Sequence, residues 1–341
     1  MVRTLILCPT HDHCDTLLAA VASVQAQRDP DWRLVVIGDG APARTGQILA
    51  ELQARGPRVT YRAFPKGDRF GEVYRDAVIR ETEAEFICHL GDDDLWSDRH
   101  LQTMTAMLDH ADWAMQAELN LLVDGSWMWR IANQAGRLAR LLHRADLPGM
   151  LGGGLNNVAY RRAAYLGLPR GWQAAPQGHP SDVYMWLEFL RRPGLRIASS
   201  ADTTFVKFPG SAARKTHAPT QRLAEMAPVL AGINRPDYIA DARGAADVAV
   251  PLLQAMFLAR AGDATSPESA LDRIGLRAVG PRDVPQTVTD GDAMPVPLTA
   301  MQRDLSDLAW LLLRAQTAPT EAETLLQDLA PRPSVGDGSA A

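Results

Sequence analysis

The sequence predicts an α/β fold, a mostly parallel sheet flanked by helices and followed by a helical C-terminal extension, on three observations. Four short apolar runs, at 4–8, 33–37, 59–63 and 85–90, alternate with stretches of helical periodicity in the first hundred residues. The runs lack strict polar alternation, which is the pattern of strands covered on both faces. From about residue 218 the chain turns to alanine- and leucine-rich helical spacing.

The elements follow in order. The first run ends at Pro9-Thr10, and Asp15 is expected to cap a helix carrying Leu17, Leu18, Val21 and Val24 on related faces. Further helices are expected at 45–55 and 71–83, between the second, third and fourth runs. The fourth run leads into Gly91-Asp92-Asp93-Asp94, after which Leu101, Met104 and Leu108 mark a helix. Segments 113–123 and 126–131 flank Asp124-Gly125, a strong hairpin signal. A glycine-rich loop at 150–157, a helix starting near Asp182 and an extended stretch at 196–208 complete this part. Val248, Leu252, Ala255, Met256 and Ala259 predict a helix, as do Leu305, Leu308, Ala309 and Leu312. The Pro-, Gly- and Asp-rich 262–299 between them reads as an irregular connection. Residues 331–341 read as a disordered tail.

Composition narrows the function. With 46% hydrophobic and 22% charged residues the chain is an ordinary globular protein, long enough at 341 residues for one large domain and an extension. Lysine occurs only at 66, 207 and 215, the formal charge is −5, and no basic run interleaved with aromatics marks a nucleic-acid track. The first residues are too short an apolar run for a signal peptide, and nothing approaches the ~20 apolar residues that cross a bilayer. Cys8, Cys14 and Cys88 show no metal-type spacing and fit a reducing compartment, so a cytoplasmic location is expected. Peripheral attachment to a membrane and a homodimer through the C-terminal helices stay open.

The residues that could carry chemistry lie at the ends of the runs. Three adjacent carboxylates, Asp92, Asp93 and Asp94, repel one another unless a cation offsets them, and hard divalent cations prefer oxygen ligands. The bland alternative is that they cap the next helix, for which one aspartate would suffice. Asp39, in the Gly-flanked turn after the second run, suits contact with a base or ribose, although Asp-Gly is also plain turn chemistry. His11 and His13 beside Asp12 and Cys14 have ligand types that suit zinc, but no further cluster accompanies them, and a polar donor-binding loop is the preferred reading.

Taken together, Pro9-Thr10, Asp31-Trp32 leading to Asp39-Gly40, Gly71 with Tyr74-Arg75-Asp76, and Gly91-Asp92-Asp93-Asp94-Leu95-Trp96 resemble the glycosyltransferase family 2 pattern on a GT-A fold. The resemblance covers roughly the first 215 residues and is strongest to residue 100. It implies a domain over 1–217, with a nucleotide-sugar half at 1–100 and an acceptor half at 101–217, before the helical region 218–330. It further implies that Thr10, His11 and Asp12 line a nucleotide pocket, Asp39 contacts a base expected to be uracil, Arg75 sits near the diphosphate and Asp92 faces the ribose or metal. Manganese or magnesium would be held by Asp92, Asp93 or Asp94, the register being open, with His217 as an additional ligand. Ser181-Asp182 stands where the family often has Glu-Asp, so Asp182 is implied as catalytic base; its plain alternative is a helix cap. Gly38 and Ser181 depart from common acids of the pattern. Arg214 and Lys215 would belong to a loop closing over phosphates, and Trp172 and Asn156 to the acceptor cleft.

The implied reaction is metal-dependent, inverting transfer of a sugar from a nucleotide-sugar donor to a saccharide or related acceptor. Two rival readings are a nucleotidyltransferase acting on a sugar phosphate and a non-catalytic nucleotide-sugar-binding protein. The first would normally show a Gly-rich, basic loop after the first strand, which 9–13 lacks.

Overall fold

The computed structural model describes residues 2–135, 153–177, 179–210, 212–249, 276–279 and 294–297. Four strands, β1 (Val2–Thr10), β2 (Trp32–Asp39), β3 (Val59–Phe64) and β4 (Ala84–His89), coincide with the four apolar runs, extending the first three and ending one residue before the close of the fourth. They alternate with α1 (Cys14–Gln25), α2 (Ala43–Arg55) and α3 (Glu72–Glu81) and pair in parallel. The reason for the continuous apolar runs is visible in β1. Leu5 and Leu7 join one core cluster and Ile6 and Cys8 the other, and all four are fully buried.

Beyond β4 come β5 (Leu95–Trp96), α4 (His100–Leu108), β6 (Trp113–Gln116), β7 (Glu118–Leu121), β8 (Trp127–Arg130), β9 (Val158–Arg161) and α5 (Arg162–Leu166). They are followed by α6 (Ser181–Leu190), β10 (Ile197–Ser200) and β11 (Phe205–Val206). The main sheet has seven strands in the order β10-β6-β9-β4-β1-β2-β3. Only β9 runs against its neighbours, pairing antiparallel with both β4 and β6, so the sheet is mostly parallel as expected. Helices α1, α2 and α4 contribute to the cluster on one face, and α3, α5 and α6 to that on the other. Among the described residues no helix is long and apolar enough to cross a membrane.

The hairpin is present, with β7 and β8 antiparallel around Asp124-Gly125, although Trp113–Gln116 is a separate strand of the main sheet. One capping expectation is corrected, and one capping alternative is not met. His13, not Asp15, occupies the N-cap position of α1, leaving Asp15 in the first turn where its charge suits the helix dipole. Helix α4 starts at His100 behind Arg99, so the acidic triplet does not cap it.

Past residue 210 come α7 (Ala212–Lys215), α8 (Pro219–Gly232) and α9 (Tyr238–Gly244), in line with a helical region. The expected helix around Val248 is corrected, because Asp247–Ala249 forms strand β12 and pairs in parallel with β8. Likewise β13 (Leu276–Val279) and β14 (Met294–Pro297) pair in parallel within the stretch read as irregular. Leu252 to Ala259, Leu305 to Leu312 and the tail 331–341 lie outside the described residues.

Candidate active site

Because β1, β2, β3 and β4 are parallel, their carboxyl ends share one edge, the usual ligand-binding edge of such sheets. A cleft of about 630 Å³ opens there. Its walls include Thr10, His11, Asp12 and His13 after β1, Asp39 at the end of β2, Lys66, Arg69 and Phe70 after β3, Arg75 on α3, and Gly91 and Asp92 after β4. The lining is completed by Leu155 from the loop before β9, and by Ser181 and Asp182 from the start of α6. Seven residues singled out from sequence thus meet in one cavity: Thr10, His11, Asp12, Asp39, Arg75, Asp92 and Asp182.

Each is held by identifiable contacts. His11 Nδ1 lies 2.7 Å from the Asp39 carbonyl, tying the ends of β1 and β2 together. The Asp39 carboxylate accepts hydrogen bonds from Lys66 Nζ and the Gly67 amide, both at 2.6 Å. Arg75 is 4% exposed, gives Nη2 to the Phe70 carbonyl at 2.7 Å and leaves Nε without a partner. Its guanidinium stands 4.4 Å from the Trp172 ring centroid, and burial lowers its pKa from the usual value. Asp182 Oδ1 accepts the Val183 amide at 2.8 Å. Burial raises the Asp182 carboxyl from the ordinary carboxylate range, against the pull of the Lys207 charge. Pro180 holds the N-cap position of α6, so Asp182 sits in the first turn rather than capping the helix.

The acidic loop divides its three carboxylates. Asp94 is buried and committed to the scaffold: one oxygen accepts the Phe208 amide at 2.7 Å and the other the Asn156 side-chain amide. Asp94 also stands outside the metal-capable group formed by its neighbours. Asn156 braces the same loop, its Oδ1 accepting the Gly91 amide at 2.5 Å. Gly91 has no room for a side chain, because a Cβ would stand 2.8 Å from Asp94 Oδ2. Asp92 and Asp93 remain. With His13 they form a group whose potential ligand atoms all lie within 4.8 Å of one another. His13 Nδ1 is 3.1 Å from Asp92 Oδ1. Burial, together with the charges of Asp94 and Asp92, pushes Asp93 up to about 8, and burial pushes Asp94 up to about 6. Nearby positive charge, Lys207 for Asp94 and His13 for Asp93, offsets the burial and mutual repulsion of these carboxylates only in part, and a divalent cation fits the oxygen-rich set with one imidazole.

His13 is under two opposed influences. The Asp92 carboxylate raises its pKa, whereas Arg222 Nη1 stands 2.7 Å from its Nε2. A guanidinium only donates, so a hydrogen bond at that distance requires the neutral ring, and this is the form the geometry holds.

Three further residues, Trp172, His217 and Arg214, make contacts other than those the resemblance implies. Trp172 is 2% exposed, gives its Nε1–H to Tyr160 Oη at 3.1 Å and packs against His89 and Trp186; it is a core residue that no acceptor reaches. His217 turns Nδ1 to Glu225 Oε1 at 2.5 Å, and it is not in the metal-capable group. Arg214, expected in a phosphate-closing loop, is 4% exposed and binds the carbonyls of Pro209 and Leu121 and the Glu225 carboxylate. The Gly38 departure has a steric cause, because a Cβ there would collide with the Tyr61 ring and hydroxyl. Sequence reasoning passed over Lys66 and left His13 as a generic donor-loop residue. The usable signals were the rarity of lysine and the proximity of His13 to Asp12.

The family comparison agrees with the fold. The family described as Glycosyl transferase family 2 matches residues 5–164, a span that carries β1 to β9 and the acidic loop. No curated protein matches the chain in sequence. Among solved structures, residues 1–349 of S. aureus TarS are similar at 14% identity and a TM-score of 0.47, with 96% of this chain and 90% of that chain covered. The same TarS segment in complex with UDP-GlcNAc gives the same identity, coverage and TM-score of 0.47, and its complex with UDP a TM-score of 0.45. A likeness of that degree extends neither to ligands nor to reaction.

Proposed function

We propose, from the premise that the chain is a glycosyltransferase carrying a family 2 domain over residues 5–164, that it transfers a sugar with inversion from a nucleoside-diphosphate donor. The donor base is uracil and the acceptor a saccharide or related hydroxyl compound. The observation that carries this reading is a single cleft lined by Asp182 together with Asp39, Arg75 and Asp92.

His13, Asp92 and Asp93 would hold a manganese or magnesium ion. When bound, a divalent cation supplies positive charge to a departing diphosphate. The chain's own residues do the rest. Asp39, fixed by Lys66 and Gly67, offers its remaining lone pairs to the base. Arg75, buried and with a free Nε–H, adds a fixed positive charge at the cleft in a setting where water is scarce. The Asp182 carboxylate takes the proton of the acceptor hydroxyl as its oxygen attacks the anomeric carbon. In the same displacement the bond from that carbon to the diphosphate oxygen breaks, and its electron pair leaves with the diphosphate. One displacement inverts the centre. Burial that raises the Asp182 pKa makes it a better base than an exposed aspartate.

A thermal-shift series of UDP, GDP, CDP and ADP with and without Mn²⁺ tests the reading, because a ligand that binds the folded state raises the apparent midpoint. The expected result is stabilisation by UDP that needs Mn²⁺ and disappears in Asp92→Asn. No shift with any of the four would remove the donor proposal, and an equal shift without the ion would remove the metal.

A further inference from the structure

Helix α8 comes from beyond the family segment and packs on α1, which brings Arg222 to the loop between β1 and α1. There its Nη1–H reaches His13 Nε2 at 2.7 Å. Since Nε2 must accept, the ring's one proton sits on Nδ1 and is given to Asp92 Oδ1 at 3.1 Å. In this tautomer neither ring nitrogen has a free lone pair. A cation needs one, and Nδ1 is the nitrogen beside Asp92. The charged groups around the ring are Asp12, 3.5 Å from Nε2, Asp92 and Asp93 of the same acidic group, and Arg222 itself. Arg222 Nε is buried without a hydrogen-bond partner, so the guanidinium is not saturated where it stands.

We infer that Arg222 is a positioning residue that competes with the divalent cation for His13. The inference rests on the metal reading above. With Arg222 engaged, the imidazole is a donor to Asp92. For Nδ1 to present its lone pair, the proton must reside on Nε2 instead, where an N–H faces the guanidinium and the contact is lost. The ring is neutral in both states; one N–H is exchanged for the other through solvent. Arg222 thus serves as the resident positive charge of the acidic loop, and loading of the cation releases α8 from the edge of the cleft.

Titration of the full-length protein with Mn²⁺ alone, followed by electron paramagnetic resonance of the free ion, tests this. Arg222→Leu is expected to bind Mn²⁺ about tenfold more tightly than the wild type, the scale on which partners of metal-bound histidines act. In a His13→Asn background the same substitution should give no gain. Unchanged or weaker affinity in Arg222→Leu, or a gain that survives His13→Asn, would overturn the competition while leaving the metal reading intact. No Mn²⁺ binding by wild type or variants would overturn both. A second measurement needs no Arg222 variant: ¹⁵N spectra of the histidine rings should show His13, assigned by its loss in His13→Asn, switching from the Nδ1–H to the Nε2–H tautomer as Mg²⁺ is added. The same tautomer at saturating Mg²⁺ would also overturn the inference.

Discussion

The two walls of the cleft are built in different ways. On one, every functional side chain lies within a few residues of the end of a parallel strand or on the helix that follows, so chain order and spatial order agree. On the other, Leu155 and Asp182 arrive from a loop and a helix, and Arg222 reaches His13 from a second helix, the three spread over nearly seventy residues. The first wall holds charge through backbone register, and the second through packing. That difference teaches why one region can be read as a motif while its partner must be assembled before it is recognisable.

The comparison can be broken most sharply at Asp182. If the second wall supplies the base, Asp182→Asn should lower turnover by about 10²–10⁴-fold while donor binding persists, measured as kcat beside a donor Kd. Burial raises the folded-state pKa of this carboxyl, so its ionised form costs stability above that pKa and the cost fades as pH falls through it. The same substitution should therefore raise the thermal midpoint at neutral pH, with the gain shrinking in acid. In the wild type, the acidic limb of the kcat/KM profile should lie above the ordinary aspartate value of 3.8. Unchanged turnover would place the base elsewhere.

A smaller but still large effect is expected beneath the second wall. Trp172→Ala should destabilise the fold by about 3–5 kcal/mol, read from urea unfolding, because a buried indole with both a hydrogen bond and a stacked guanidinium is removed. A change confined to acceptor KM, with stability intact, would restore the acceptor reading.

On the first wall the smallest effect is expected at Lys66. Its ion pair with Asp39 is half in solvent, so Lys66→Ala should weaken donor binding by about fivefold, on the order of 1 kcal/mol, in a nucleotide titration. A loss of several hundredfold would mean that Lys66 itself touches the donor.

The first wall was legible because buried parallel strands leave uninterrupted apolar runs, and their ends mark the binding edge before any coordinate is known. All four runs became strands, and Thr10, His11, Asp12, Asp39, Arg75 and Asp92 all line the cleft. What the sequence could not convey was the division of labour inside a cluster. Asp92, Asp93 and Asp94 look equivalent in a string, yet the Phe208 amide and the Asn156 side chain engage Asp94 alone, from 114 and 62 residues away. Trp172 misled for a related reason: Pro and Gly around it suggest an exposed loop, whereas Tyr160 and Tyr165 draw it inward. His217 was attracted by a carboxylate eight positions on, Glu225, that no motif weighs. Val248 fits a helical pattern as well as a strand, and only the free edge of β8 decides between them.

The lone reversed strand has a consequence for the loop it adjoins. Strand β9 pairs with β4 so that Cys88 faces Ala159, and continuing that register three residues further sets Gly91 opposite Asn156, the very pair joined by the 2.5 Å contact. The aim of the acidic turn is therefore inherited from ladder alignment. A shift of one position in β9, caused by an insertion far from any carboxylate, would rotate Asn156 to the wrong side of the sheet and leave the turn without its template.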